Sequence, residues 1–403
     1  MSKGESTEQT TSQRTPLWQT DLSHFDVRSG RGFLPANDPP RFLPAAFEAW
    51  EHAASELPKL MMTDRVRSIL EELPLLGVDQ LTTIPDRERA MMVLSFLSHG
   101  YVWGEANAAQ ILPKNLALPW YQLAQLLGRP PVLSYASYAL WNWQRIDPNA
   151  EVALGNIALL QNFFAGMDEE WFILVHVDIE QRAAAGLWEI SYLLKAAYDG
   201  ELGDLERSLK VLHKSLLAVN ASMARMPEHC DPYIYYNRVR PCIHGWKDCP
   251  ALPRGLIYEG VDAWGGEPQQ FRGETGAQSS IVPALDAVLG ITHKDDPLRH
   301  YLNEMRDYMP PRHRQFVEAI ESHTPVRTVI QREATAQPKL TDIYNQCVTE
   351  LSKFRSTHLE FAGSYIESQT QTSENNPTQV GTGGTPFMTY LAKHRDETEQ
   401  HLL

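Results

Sequence analysis

Residues 338–368 read PKLTDIYNQCVTELSKFRSTHLEFAGSYIES. Leu340, Ile343, Tyr344, Cys347, Leu351, Phe354, Phe361 and Tyr365 recur at steps of mostly three and four, the spacing of one face of a long helix. Such a stripe is stable only when other elements cover it. His358 lies on the same face, while Lys353, Arg355, Glu360 and Glu367 mostly decorate other angles. An imidazole pointing where the chain is otherwise apolar is either a hydrogen-bonded core residue or a ligand, and periodicity alone does not choose between them.

The rest of the chain is helical by the same criterion. AAFEAWEHAASELPKLM and RVRSILEELPLL have helical spacing, with Thr63 and Asp64 as the expected cap of the second. Residues 86–109, DRERAMMVLSFLSHGYVWGEANAA, form an expected buried helix containing His99; with no second ligand type at i+3 or i+4, His99 reads as structural. WYQLAQLLG and SYASYALWNWQRI read as two more helices, the second crowded with Tyr135, Tyr138, Trp141 and Trp143. Residues 169–197 are apolar around most of their circumference and carry His176 within WFILVHV. Further helical periods follow in 205–226 and from 281 onwards, without strand–helix alternation or internal repeats, so the fold class is all-α.

Composition removes several functions. With 43% hydrophobic residues over 403 positions, the chain can fill one large core or two unequal ones. A net charge of −14 and the lack of any basic run argue against a nucleic-acid partner. Cys230, Cys242, Cys249 and Cys347 show no C-x-x-C pair, which fits a reducing cytosol. No apolar run of about eighteen residues exists, so no membrane association is expected. Residues 1–15 are too polar to repay ordering and are expected to be disordered.

The residue types that remain suggest a pocket. Arg238 and Arg240 stand among Tyr233, Tyr235 and Tyr236; such an arginine is either part of a surface aromatic cluster or a bidentate receptor for a carboxylate. Residues 369–385 form an expected mobile loop ending in GTGGT, whose glycines before a helix make a weak anion-site signal. No G-x-G-x-x-G, P-loop or H-E-x-x-H motif is present. Two histidines on buried helices, an arginine among tyrosines and a glycine loop together suggest a planar cofactor and an anionic ligand, and residue patterns reach no further.

Several strings are nevertheless distinctive: HGYVWG from His99, LPKNLALP from Leu112, GLIYEGV from Gly255, GAQSS from Gly276, MRDYMPPRHRQF from Met305, FRSTHL from Phe354 and GTGGT from Gly381. In this order they resemble the indoleamine 2,3-dioxygenase family, from about Leu112 to the C-terminus and more loosely before it. The resemblance implies a cytosolic, monomeric, all-α enzyme with a small helical domain (16–160) over a larger haem-binding domain (161–403). It implies haem b as cofactor, O2 as co-substrate and an electron donor that keeps the haem ferrous. The reaction implied is opening of the indole C2–C3 bond of tryptophan to give N-formylkynurenine, the first step of the kynurenine pathway.

Carried over residue by residue, the resemblance makes His358 the proximal iron ligand, with Arg355, Thr275 and Asp286 at the cofactor. Arg240 would bind the substrate carboxylate and Tyr235 would lie against the indole. Thr382 would contact the amino-acid backbone. Tyr135, Tyr138, Phe172 and Ile173 would wall the distal side, and Gly276 would lie near O2. Two departures stand out. His176 occupies a distal position where the animal enzymes carry serine; since the related tryptophan 2,3-dioxygenases place a histidine distally, it would accept the indole N–H or donate to dioxygen. Glu274 replaces a small residue and is expected to add negative charge near the haem propionates. Another indole substrate, or a non-catalytic haem- or gas-binding role, stays open on sequence.

Overall fold

The computed structural model describes residues 15–370 and 387–403. Helices α1 (Glu48–Leu60), α2 (Val66–Glu71), α3 (Ile84–Trp103) and α4 (Lys114–Leu127) come first. Strand β1 (Ile111–Leu112) precedes α4, and β2 (Trp143–Arg145) and β3 (Ile157–Leu159) follow it as an antiparallel pair. Next come the long α5 (Met167–Asp199) and α6 (Leu202–Met223), then the one-turn α7 (Pro232–Ile234) and α8 (Arg240–Cys242) on either side of a π-turn at Tyr235–Val239. Strand β4 (Ile257–Tyr258) pairs parallel to β1. The C-terminal helices are α9 (Ile281–Leu289), α10 (Pro297–Met305), α11 (Pro311–Glu321), α12 (Val326–Glu333), α13 (Pro338–Tyr365) and α14 (Phe387–Glu399). The all-α expectation holds, with two very small sheets added.

Local chemistry explains the principal boundaries. Helix α3 starts where the Thr83 side chain accepts from the Asp86 amide, and it is buried on almost every side, as its sequence requires. It ends at Trp103 rather than near 109, closing on Gly104. Helix α5 has Asp168 and Glu170 in its first turn, where negative charge suits the helix dipole, and it closes on a left-handed Gly200.

Two expectations are corrected. Thr63 and Asp64 do not cap α2: the Thr63 hydroxyl donates back to the Leu60 carbonyl, and Arg65 occupies the cap position. Nor is 134–146 one helix. It makes a π-turn over Ala136–Leu140 and then becomes β2, because the Asn142 side chain pairs with the backbone of Gln161 at 2.8 Å in both directions and draws the chain into the ladder with β3.

Two large apolar cores result. One joins α5, α6, α9, α11, α12 and α13 with residues from 17–33, and the other joins α1–α4 with residues from 242–261. Helix α5 packs on α6, α6 on α13, and α13 on α14. The apolar stripe of α13 divides along its length: Leu340, Ile343, Tyr344, Cys347 and Leu351 are core, whereas Phe354, His358 and Phe361 line a cavity. Among the described residues no helix is long and apolar enough to cross a membrane.

Candidate active site

The cavity has a volume of about 640 Å³, within the ordinary range for small-molecule and cofactor sites. One wall is the C-terminal half of α13 and the facing wall is the N-terminal half of α5. Tyr135, Tyr235, the glycine-containing segment 274–276, the region between Asp286 and His293, and residues of α10 and α14 also line it.

His358 has a large open surface, but that surface belongs to the cavity; the ring is otherwise enclosed by protein. Desolvation, followed by the field of His176, pulls its pKa down to about 4, so the imidazole is neutral at physiological pH. It makes no hydrogen bond with any described residue. His176 is half satisfied: its Nδ1 donates to the Phe172 carbonyl at 2.7 Å, one turn back on α5. That bond fixes the proton on Nδ1 in the neutral ring and leaves Nε2 as an acceptor. Burial also lowers the pKa of His176, keeping that tautomer neutral. The Phe172 ring lies 4.7 Å from the His176 ring and 4.6 Å from Tyr235, giving a row of three mutually tilted rings along this side.

Arg355 lies one turn before His358. Its guanidinium donates to Asp286 Oδ2 at 2.6 Å and also to Thr398 Oγ1. Burial alone would raise the Asp286 carboxyl; Arg355 and His293 instead hold it well below the usual carboxylate range. Thr275 accepts from the Ala277 amide and opens the short turn that begins at Gly276; both Thr275 and Gly276 line the cavity.

The glycine-containing segment is fixed from behind. A Cβ on Gly273 would stand 2.2 Å from the Gly245 nitrogen, so the two strands of loop can approach only as glycines. Gln278 accepts from the Tyr135 amide and donates to the Gly273 carbonyl, each at 2.9 Å, locking the loop to the aromatic wall.

Glu274 is 3% exposed, and desolvation raises its pKa to about 8. It is therefore mainly protonated at neutral pH, which corrects the expectation of added negative charge. Glu180, one turn beyond His176, was not marked by the sequence reading. Its Oε1 accepts from Ser279 Oγ at 2.9 Å, and burial raises its pKa to about 7 against the lowering effect of Ser279 and Tyr135. Burial and the Glu180 carboxyl in turn push the Tyr135 phenol well above its ordinary value.

The sequence-derived set is thus largely assembled. Tyr135, Phe172, His176, Tyr235, Thr275, Gly276, Asp286, Arg355 and His358 share one cavity. Tyr138 and Ile173 are buried behind the wall in the neighbouring core. Arg240 is fully buried and is not among the residues lining the cavity; its guanidinium stands 5.4 Å from the Tyr236 ring centroid, close enough to bear on the Tyr235 phenol. Thr382 and most of the 369–385 loop lie outside the described residues, as does the N-terminal stretch 1–14. His99 is structural, as expected: Nδ1 donates to the Cys242 carbonyl at 2.8 Å and Nε2 accepts from the Leu133 amide at 2.9 Å.

Fold and site define a helical protein built around one deep, mainly apolar chamber with a neutral imidazole available on each of two facing helices. Residues 21–401 match the family model described as indoleamine 2,3-dioxygenase. The chain is 36% identical to indoleamine 2,3-dioxygenase 1 of Mus musculus over 90% of this chain and 91% of that protein. It is 34% identical to indoleamine 2,3-dioxygenase 2 of Homo sapiens, covering 95% of each. The 6-hydroxytryptophan 2,3-dioxygenase of Fusarium equiseti is 32% identical over 95% of this chain and 98% of its own length. The chain belongs to the indoleamine 2,3-dioxygenase family and is an oxidoreductase of the dioxygenase type.

Proposed function

We propose that the protein is a haem-dependent dioxygenase that opens the indole C2–C3 bond of L-tryptophan with O2 to give N-formylkynurenine, and that His358 would hold the iron of a ferrous haem b. The observation that carries this reading is His358 itself: a neutral imidazole on a rigid helix, without a hydrogen-bond partner among the described residues, facing a chamber of about 640 Å³. The remaining residues fit the same group. Arg355 supplies a guanidinium for a propionate. A Cβ at Gly276 would meet nothing within 4 Å, leaving open space where a flat macrocycle and O2 need it. When bound, haem supplies the activation of O2.

The chain's own contribution is orientation and exclusion of water. The Nε2 lone pair of His176 suits it to accept the indole N–H rather than to donate to dioxygen, since the only proton of the neutral ring is already on Nδ1. Phe172 and Tyr235 present ring faces to an indole. Arg240 is assigned the substrate carboxylate and Thr382 the amino-acid backbone; Tyr138 and Ile173 support the distal wall. Holding the ring in one pose inside a dry pocket is the main source of rate that these residues provide. We assign the chain a small helical domain over 16–160 and a large one over 161–403, a cytosolic location, a monomeric state and an external electron donor.

The fungal relative named for 6-hydroxytryptophan makes a substituted tryptophan the second reading. Anaerobic loading with L-tryptophan, admission of labelled O2 and mass spectrometry of the product separate the two. Two labelled oxygens in N-formylkynurenine are expected. Absence of that product with tryptophan, together with doubly labelled product from a ring-substituted tryptophan, would move the assignment. Arg240→Ala should cost about 2 to 4 kcal/mol in kcat/KM, the scale of losing a desolvated ion pair.

A further inference from the structure

A second group of donor atoms lies beyond Arg355, and neither axial ligation nor indole binding uses it. His293, on the segment after α9, meets His394 and Glu397 of α14, and the ligand atoms of the three lie within 4.8 Å of one another. His394 and Glu397 are three residues apart, so they share one face of their helix. His293 and His394 also line the cavity.

Both ring nitrogens of His293 face a carboxylate oxygen. Its Nδ1 is 2.7 Å from Glu397 Oε2 and its Nε2 is 3.1 Å from Asp286 Oδ2. A neutral imidazole carries one N–H and cannot donate to two carboxylates, so either a second proton or a metal ion must occupy the arrangement. Nearby charges do not remove the need. Arg355 is engaged by Asp286 and Thr398, and Lys393 by Asp296. Lys393 reaches Glu397 Oε1 only at 3.5 Å.

His394 supplies the independent observation. It is 8% exposed, its buried Nε2 has no hydrogen-bond partner among the described residues, and its ring lies tilted against that of His293 at 4.4 Å between centroids. Desolvation, aided by the neighbouring His293 and Arg355, pulls its pKa down to about 3, so it is a neutral potential ligand at physiological pH.

We propose that His293, His394 and Glu397 form a site for one divalent transition-metal ion of the zinc type, separate from the axial position of His358, which fastens α14 to the segment following α9. Two imidazoles and a carboxylate are a zinc donor set. Asp286 completes it from outside: by accepting from Nε2–H it fixes the His293 tautomer and presents Nδ1 to the metal. Ligand atoms around tetrahedral zinc lie roughly 3.4 Å apart, so the cluster needs only side-chain adjustments to close. A metal ion at Nδ1 takes the place of the proton shared between His293 and Glu397, and a remaining coordination position can open toward the cavity. Asp286 then links the metal ligand His293 to Arg355. The proposal stands on these residues alone and does not depend on which indole is the substrate.

The test uses the full-length haem-loaded protein, stripped with a chelator, incubated with ZnCl2 and gel-filtered. Zinc and iron are then counted together by mass spectrometry, and the zinc-edge X-ray absorption spectrum is recorded. One zinc per chain is expected, with two imidazoles and light-atom ligands only. His293→Asn and Glu397→Gln should lose that zinc, at least tenfold in occupancy, while the iron count reports whether each variant is folded and loaded. Zinc well below one per chain, sulfur in its shell, or equal zinc in both folded variants would mean adventitious binding and overturn the site. Should either variant fail to fold, the wild-type absorption spectrum alone decides: a two-imidazole shell supports the site and any other shell defeats it.

Discussion

His99 on α3 and His358 on α13 look alike in sequence, each a histidine within an apolar helical run, yet the structure treats them oppositely. Both nitrogens of His99 are used, by the Cys242 carbonyl and the Leu133 amide, so that this imidazole joins three segments of the N-terminal core. Among the described residues His358 has no such bonds, and it faces an open chamber. Desolvation holds both near a pKa of about 4, so charge state does not distinguish them. What distinguishes them is satisfaction: a buried polar group with all its partners is structural, and one held rigidly without partners awaits a ligand.

That contrast can be broken most forcefully at His358. His358→Ala should lower haem content and turnover by more than about a hundredfold, beyond the loss that removing even an outer-shell partner of a metal ligand produces. The same change breaks no hydrogen bond among the described residues, so the unfolding free energy of the haem-free chain should stay within about 1 kcal/mol of wild type. Pyridine haemochrome assay and urea titration measure the two; a normal histidine-ligated spectrum in the variant would refute the axial role.

His99→Leu should invert the pattern. It leaves the Leu133 amide and the Cys242 carbonyl without partners in a dry core, a loss of about 2 to 5 kcal/mol. Haem per folded chain should be unchanged. The acid side adds a check. His99 protonates near pH 6.5 when unfolded and near 4 when folded, so it weakens the native state as pH falls through that window. The variant should lack that one-proton slope. Stable protein deficient in haem would instead make His99 part of the site.

The contrast also shows what could be read in advance. The long α5 and α13 were legible because their periodicity is local. Their histidines were not separable, because the partners that settle His99 stand 143 and 34 residues away. The π-turn and strand of 136–145 were misread as helix since aromatic spacing is compatible with both, and the Asn142–Gln161 pairing that decides it is non-local. The family strings contain His358, Arg355 and Gly276, but they could not mark Glu180 or the protonated state of Glu274. Those follow from three-dimensional burial. A carboxylate at i+4 from His176 was the available signal for Glu180. The His293–Glu397 contact spans 104 residues and had no local sign at all.

Glu180 offers a smaller test of the same principle, a polar group buried with partners. Its folded pKa is about 7 against an ordinary 4.5, so the unfolded chain ionises first and the native state loses stability as pH rises from 4.5 to 7, with no further loss above. Glu180→Gln keeps the shape and removes the titration. The variant should therefore gain on wild type by about 1 to 3 kcal/mol between pH 5 and pH 8, read from urea midpoints at both. A constant difference across that range would show that Glu180 is already ionised at pH 5.

His176 lies between the two extremes, with one nitrogen used and one available, and the finest test falls there. His176→Ser is well suited because a serine hydroxyl can also bond the carbonyl four residues back, so the Phe172 contact is replaceable and only the Nε2 acceptor is deleted. Stability should scarcely change. For tryptophan, kcat/KM should fall about tenfold, the worth of one hydrogen bond. A substrate methylated at the indole nitrogen, having no N–H to offer, should react equally with both forms. Burial places the protonation of His176 below its ordinary pKa of 6.5, so the wild-type profile should lose activity on the acid side as Nε2 takes a proton. The serine form should lack that limb. Identical acid limbs, or the same tenfold loss with the methylated substrate, would remove His176 from indole recognition and return it to the company of His99.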